Sequence, residues 1–400
     1  MRVAIVSSRF PCGNHEPYLG AELGALRPLV EYLAVAPLRA GRGDLQDPSG
    51  AAVMLQRPWN LSTVALACLT FLRSPAATIA ALKTVVTSPR AIRAKLKNLA
   101  TFTTALALAE RFRREGIEHV HGYWLSAPAT AALVIARVNG ISWSATAHRW
   151  DIFENNMIEE KARSAVFIRA ISHRGRAELL RRAPASAEKF AIVRLGTALT
   201  QKRSPLLRGG KAIELLCAAA FVPTKGHEDL LEAFAAAYRS DGSLRLTLAG
   251  EGPLGRRLRE RAAALPCADA IEFRGYVAHK QLIRELASGR YAAVVLASRD
   301  DGVSDMEGVP SILIEASSLG VPCVATSSGG VGELLDTRSA FLAQPQDPQS
   351  LRQAILAVTD LRERTLRAKW AYERSHQLHS PKRTAGEFIA LLSLARRAYS

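Results

Sequence analysis

The sequence has no pair of cysteines at C-x-x-C spacing, and its five cysteines (Cys12, Cys68, Cys217, Cys267 and Cys323) are odd in number and dispersed over 400 residues. That distribution excludes a disulfide framework and offers no zinc-site pattern, so the thiols are expected to be reduced and mostly packed. No uncharged apolar run reaches the roughly 20 residues that a membrane-spanning helix needs. The first apolar run, Val3–Val6, covers four residues. That is too short for the h-region of a signal peptide, and a cytoplasmic location is expected. Repeats of solenoid period are missing, as are helix-turn-helix, zinc-finger and RNA-recognition patterns, so a nucleic-acid partner is not expected despite the charge.

What is present suits a soluble protein of two or three compact domains: 400 residues, 48% of them hydrophobic. Lys and Arg number 53 against 36 Asp and Glu, a formal charge of +17 that attracts some polyanion. The excess is unevenly spread. No acidic residue lies between Asp47 and Glu110, while Arg57, Arg73, Lys83, Arg90, Arg93, Lys95 and Lys97 stand there among aliphatic side chains. In Ala91–Lys97 the basic and aliphatic residues crowd together, as an interfacial helix on anionic headgroups requires. Segment 48–109 is therefore expected to meet an anionic membrane surface, with the protein peripheral to the inner face of the plasma membrane. The alternative is a core-facing helix with a solvated basic face.

Short apolar strands alternate with helical patterns from residue 1 to about 196 and again from about 212 to 345, the signature of parallel α/β layers. In the first half, Arg2–Ser7, Glu118–His121, Trp143–Ala147, Val166–Ser172 and Phe190–Leu195 read as strands, with a helix from about Tyr18 to Leu33. In the second, Ile213–Ala218, Leu244–Ala249, Ile271–Gly275, Ala292–Ala297 and Pro322–Thr326 read as strands, with helices over His227–Tyr238 and Gln349–Thr359. A polar stretch, Thr197–Lys211, breaks both periodicities. The expected organisation is a domain over 1–198, a hinge over 199–211, a second domain over 212–380, and a helix over 381–400 crossing back to the first. Ligands of open α/β sheets bind past the carboxyl ends of the strands, so a cleft between two doubly wound domains is expected to hold the site.

The strongest local signal runs from Asp300 to Glu315, directly after the strand ending near Ala297. Gly308-Val309-Pro310-Ser311 starts a helix whose first amides suit an anion. Glu315 lies about one turn inside it, within an apolar run where an unpartnered carboxylate would cost several kcal/mol. A carboxylate accepts hydrogen bonds from both hydroxyls of a ribose, and Glu307, on the preceding loop, could do the same for a sugar ring. These two glutamates, eight apart around a Gly-x-Pro turn, resemble the donor site of the retaining glycosyltransferases of family four, which have the GT-B fold. The likeness is to the exopolysaccharide and colanic-acid-type branch. The resemblance implies two Rossmann-like domains facing a central cleft, with Glu315 on the ribose and Glu307 on the donor sugar.

Further segments carry the same resemblance. Phe221–His227 places Lys225 where the family holds the donor diphosphate; a cation there answers the charge that the leaving diphosphate gains. The family's usual arginine five residues earlier is Ala220 here, which leaves Arg9 or Arg149 to complete the clamp, or transfer weak. Gly250-Glu251-Gly252-Pro253 resembles the turn beside the nucleotide, and Arg274-Gly275-Tyr276-Val277 the segment whose backbone lies against the base. Thr146-Ala147-His148 resembles the segment whose histidine, here His148, faces the transferring sugar. The loop Ser7–His15, with Gly13, resembles the acceptor-side glycine loop. His119-Val120-His121-Gly122 is not read as a metal site: the two imidazoles are expected on opposite faces of a strand, with His121 at most lining the cleft. Asp300, Asp301 and Asp305 lack a fixed ligand geometry, so neither metal nor other cofactor is expected. The implied reaction moves a sugar from a nucleotide diphosphate sugar, UDP-sugars first, to a polysaccharide or lipid-linked oligosaccharide. A non-catalytic membrane partner of another transferase, and an epimerase or hydrolase on the same scaffold, remain the alternatives.

Overall fold

A computed structural model describes residues 1–12, 16–39, 50–57, 59–88, 91–197, 199, 204, 212–299 and 309–399. The chain divides into two compact units, Met1–Thr197 with Pro381–Ser400, and Ala198–Ser380. Most of segment 199–211 lies outside the described residues.

The first unit is built on seven strands: β1 (Arg2–Ser7), β2 (Tyr32–Pro37), β3 (Ala52–Val53), β4 (His119–Gly122), β5 (Ser142–Ala147), β6 (Ile168–Ala170) and β7 (Phe190–Ile192). All ladders are parallel, in the order β3-β2-β1-β4-β5-β6-β7. Val3–Val6 and Leu33–Ala36 are fully covered, as strands sandwiched between two helical layers must be, which is why they read as unbroken apolar runs. The winding reverses between β1 and β4, and that is where open sheets of this kind take ligands.

The helix expected over Tyr18–Leu33 is shorter: it spans Pro17–Leu26, tightens into a 3-10 turn over Arg27–Leu29, and gives way to β2. Pro28 cannot sit in a helix interior, and the apolar run after it, too short to separate buried helix from buried strand by periodicity, pairs with β1 instead.

Helices Leu61–Arg73, Pro75–Thr87 and Ile92–Arg114 cover one face of this unit. Small residues let them approach: Ala67, Ala81 and Ala105 are buried, and the Thr70 hydroxyl donates to the Leu106 carbonyl at 2.9 Å. Their outer sides leave Leu61, Leu72, Ile79, Ile92 and Leu96 exposed, beside exposed Trp59.

Glu22 and Arg169 form a buried ion pair with two bonds, 2.9 and 2.6 Å. Glu22 also accepts the Tyr123 hydroxyl and, at 2.6 Å, the Gly196 amide. Burial opposes the Glu22 charge, but the Arg169 guanidinium and these hydrogen bonds hold its carboxyl below the usual range. The C-terminal helix Pro381–Tyr399 packs here: Phe388 meets the His121 and Phe167 rings edge-on at 4.8 and 5.8 Å.

The second unit has six parallel strands: β8 (Ile213–Ala218), β9 (Leu244–Ala249), β10 (Ile271–Gly275), β11 (Ala293–Leu296), β12 (Cys323–Thr326) and β13 (Phe341–Ala343). Their order is β10-β9-β8-β11-β12-β13, so the winding reverses between β8 and β11. The sequence reading lacks β13, whose three residues are too few to show a period.

Candidate active site

In the second unit, the segments that follow β8 and β11 are stitched together at the switch point. The Arg299 amide donates to the Thr224 carbonyl at 2.9 Å. Lys225 ends a 3-10 turn, Pro223–Lys225, and Gly226 follows in left-handed conformation to start the helix His227–Tyr238. A Cβ at Gly226 would lie 1.9 Å from the Ala297 carbonyl oxygen, so only glycine lets this turn press against the end of β11. Gly250 and Gly252 play the same part behind β9, where a Cβ would stand 2.0 Å from the Ala219 and 2.6 Å from the Phe221 carbonyl oxygen. The Lys-Gly and Gly-x-Gly segments singled out in the sequence thus meet through the Ala219–Phe221 backbone. Phe221 is fully buried beneath them, a burial that contributes about 2 kcal/mol.

Beside Lys225, His227 is buried against the Phe221 ring at 5.0 Å, with no hydrogen-bond partner on either ring nitrogen among the described residues. Burial, and then the Lys225 charge, pull its pKa down to about 4. Position 220, where the family's arginine is usual, holds Ala220; Arg299, which sequence reasoning missed, is tied to this turn through its amide on Thr224. Its guanidinium is held by both Asp229 oxygens at 2.6 and 2.7 Å, in the first turn of the same helix.

Val309 packs against the core, Pro310 caps the helix Ser311–Ser318, and Glu315 lies one turn inside it, as expected. The Glu315 carboxylate is mostly buried and meets the His279 ring at 2.9 Å, an interaction that raises the His279 pKa. His279 escaped the sequence reading because no local pattern links residues 36 apart. It starts the helix His279–Ala287, two residues after Val277. Arg274, from the base-side motif, binds Glu285 of that helix twice, at 2.5 and 2.9 Å, and the Tyr291 hydroxyl at 2.9 Å. That guanidinium holds Glu285 down at about 2. Arg274 therefore fixes the turn through Gly275 and Tyr276, where the Tyr276 side chain is exposed and its amide approaches Glu251 at 3.4 Å.

In the first unit, His148 caps the helix Arg149–Glu154, its amide donating to Asp151 at 2.7 Å, and its ring stacks on Trp124 at 4.0 Å. Asp151 accepts the Leu125 amide at 2.5 Å, and buried Lys161 donates to the Leu125 and Ser126 carbonyls at 2.6 and 2.9 Å. Burial lowers Lys161 to about 7. Both residues position the loop that carries Trp124, and neither stood out in the sequence.

The two strand histidines correct the expectation. His119 and His121 share a face, since residues two apart on a strand point the same way and Val120 takes the other side. His119 bonds Ser142 and Ser144, and His121 bonds Ser144 and Thr146, all at 2.7–2.8 Å. Both are buried, and burial takes His119 down to about 3. His121 borders a cavity of about 20 Å³, room for roughly one water.

Gly13, Glu307 and Gly308 lie outside the described residues, as do Asp300, Asp301 and Asp305. Among the described residues no three His, Cys, Asp or Glu side chains stand together as metal ligands.

Residues 200–376 match the family model described as Glycosyl transferases group 1. The chain is 28% identical over 176 residues to WcaL of Escherichia coli (strain K12), named for colanic acid biosynthesis, covering 44% of this chain and 43% of that one. It is 31% identical over 154 residues to a GDP-mannose-dependent alpha-(1-6)-phosphatidylinositol monomannoside mannosyltransferase of Mycobacterium tuberculosis, covering 38% and 39%. With the amylovoran biosynthesis glycosyltransferase AmsK of Erwinia amylovora it shares 26% over 214 residues, 52% of each chain. The chain thus spans about half the length, or less, of these curated relatives. Among solved structures, Anabaena HepE in complex with UDP and glucose superposes with a TM-score of 0.70 at 15% identity, over 98% of this chain and 100% of that one. Sucrose-phosphate synthase of Thermosynechococcus elongatus gives 0.72 at 16% over the whole of both. These likenesses identify the two-sheet architecture as the GT-B fold.

Proposed function

We propose, from the match of residues 200–376 to the family model of Glycosyl transferases group 1, that this chain moves a sugar from a nucleotide diphosphate sugar to a growing polysaccharide or lipid-linked oligosaccharide in exopolysaccharide biosynthesis, with retention at the anomeric carbon. The observation that carries this reading is the constellation at the β8/β11 switch point: a lysine on a glycine-tightened turn, and a mostly buried glutamate on the neighbouring helix. On this reading Glu315 takes the ribose hydroxyls, Tyr276 and Val277 flank the base, and Gly250 and Gly252 let the nucleotide approach the backbone. Lys225 and the amides of Gly308, Val309 and Ser311 stabilise the departing diphosphate, while Glu307 and His148 orient the sugar. The acceptor oxygen forms the new bond to the anomeric carbon as the bond to diphosphate breaks. The electron pair leaves with the nucleotide diphosphate, which also takes the hydroxyl proton. No metal or other cofactor enters this scheme.

A membrane surface is the proposed place of work. Support comes from the exposed Leu61, Leu72, Ile79, Ile92 and Leu96 among the basic residues of a stretch without acids. Among the described residues no single helix is long and apolar enough to cross a membrane; Leu61–Arg73 and Pro75–Thr87 reach that composition only as a pair, bent by 113°.

Thermal shift against UDP-, GDP-, ADP- and TDP-sugars, repeated with Glu315→Ala, tests the donor half. A rise with one nucleotide, lost in the variant, is expected. UDP is the first choice, and GDP the second because a curated relative's name carries it. No shift with any donor would overturn the reading, and an inverted anomeric centre in the product would overturn retention.

A further inference from the structure

Lys161 is fully buried, and a buried lysine ordinarily stands opposite a carboxylate. This one does not. Among the described residues it makes no ion pair, and its ammonium donates instead to the Leu125 and Ser126 carbonyls at 2.6 and 2.9 Å. The opposing charge reaches it through the backbone. Asp151, also buried, accepts the amide of that same Leu125 at 2.5 Å and the amide of His148 at 2.7 Å. Leu125 is therefore gripped at both ends, its N–H by an anion and its C=O by a cation. The residue before it is Trp124, whose indole is stacked on the His148 ring at 4.0 Å. Two supports of that imidazole, its own backbone turn and the indole against its face, thus hang on one chain from Asp151 through Leu125 to Lys161.

Few charges act on the Lys161 ammonium. Glu154 and Asp151 of the helix Arg149–Glu154 favour its proton, and Lys97 of the helix Ile92–Arg114 opposes it. The helices Ala127–Asn139 and His173–Arg182 and the 3-10 turn Pro184–Lys189 also pack on its own helix, Ile158–Ser164, and bring no charge to bear on it. Burial outweighs the two carboxylates and brings titration down from 10.5 to about 7. An ammonium makes charge-assisted bonds, roughly twice as strong as those of a neutral amine. When the proton leaves, both loop carbonyls keep only the weaker donor, and the Asp151 carboxylate loses its counter-charge.

We infer that Lys161 is a positioning residue for transfer: its ammonium, acting through Leu125 and Ser126, holds Trp124 against His148, and loss of its proton loosens that hold and slows transfer in alkaline solution. The catalytic half rests on the transferase reading, which gives His148 its place at the sugar; the loop half does not. Overall stability moves the opposite way. The folded chain keeps the Lys161 proton only below about 7 and the unfolded chain keeps it to about 10.5, so the fold gains stability as pH rises between those values. A lysine with a purely structural role would show that gain with no change at Trp124.

Acrylamide quenching of Trp124 emission in the full chain, at pH 6 and 8.5, tests the loop half. Trp124 is one of five tryptophans, so its signal is the difference between each protein and the same protein carrying Trp124→Phe. The quenching constant should rise about twofold from pH 6 to 8.5 in the parent. It should stay low in Lys161→Arg, whose guanidinium keeps its proton, and be high at both pH values in Lys161→Met. A parent constant that does not change over that interval, or a rise of the same size in Lys161→Arg, would overturn the proposal. Should arginine not fit the site, Lys161→Met still decides: quenching as low as in the parent at pH 6 would also sink it. The catalytic half is read as release of nucleotide diphosphate from UDP-glucose or GDP-mannose, whichever gives the thermal shift. Between the same pH values kcat should fall about tenfold in the parent and hold in Lys161→Arg, with KM for the donor unchanged. A quenching rise with a flat kcat overturns the link to His148. If no donor shifts the parent, the transferase reading fails, while the quenching series still decides the loop.

Discussion

Replacing Gly226 with alanine would place a Cβ 1.9 Å from the Ala297 carbonyl oxygen and 2.9 Å from its carbon, on a backbone with φ of +61°. The left-handed conformation alone costs a non-glycine residue about 1 kcal/mol. The contact must then open by roughly an ångström or more, an overpacking cost of about 1–3 kcal/mol. Together these remove about 2–4 kcal/mol from the second unit, which at about 2–4 °C per kcal/mol for a domain of this size lowers its Tm by roughly 4–16 °C. The displaced turn also carries Lys225, so the thermal shift with donor should shrink. Gly242→Ala is the matched control, since its Cβ would meet nothing within 4 Å; a change within about 0.5 kcal/mol is expected there. Differential scanning calorimetry of the three proteins decides the matter. A Gly226→Ala protein that melts within a degree of Gly242→Ala, with its donor shift intact, would refute the close-approach argument.

Three other outcomes are expected. Glu22→Gln strips a buried guanidinium of its carboxylate and should cost about 3–5 kcal/mol by urea denaturation, whereas the double change Glu22→Leu with Arg169→Met should recover most of it. His227 takes up a proton near pH 6.5 when unfolded but only near 4 when folded, so the second unit should lose stability as pH falls between those values, by about 3 kcal/mol in all. Urea melts at pH 7 and pH 5 should show a flatter slope for His227→Phe, and an unchanged slope would count against the neutral buried imidazole. His279 has the opposite sign: its pKa is raised by Glu315, so the pair stabilises the fold below about pH 6.5 and fades as pH rises through the raised value. Donor affinity should climb over that interval as Glu315 is released to the ribose, and His279→Ala should bind donor with no such pH dependence in thermal shifts at pH 6 and 8.

Local patterns were legible and non-local ones were not. The strands that follow one another through the second unit, and the glycine turns behind them, show in the sequence because a buried parallel strand is an apolar run and a tight turn needs glycine. β2 was hidden because Leu33–Ala36 reads equally as buried helix, and only pairing with β1 decides between them. The partner of Glu315 was invisible for a related reason: the apolar run around it showed that something must meet the carboxylate, but His279 arrives from another helix. Nothing in the local sequence marks Lys161, because the two carbonyls that receive its buried ammonium lie more than thirty residues away.

The packing around Gly196 has an architectural consequence. A Cβ there would lie 2.9 Å from the Pro381 Cα and 2.5 Å from the Thr384 hydroxyl oxygen, so the chain leaves the first unit and re-enters it at one spot. Topologically, residues 198–380 form an insertion at a single point of an otherwise continuous fold. A linker of a few residues from Thr197 to Pro381 would close the chain of the first unit at that point. By the same logic the inserted cassette is exchangeable: a lineage could replace it and alter its ligand while the host fold, sealed by Glu22, Arg169 and the C-terminal helix, stays as it is.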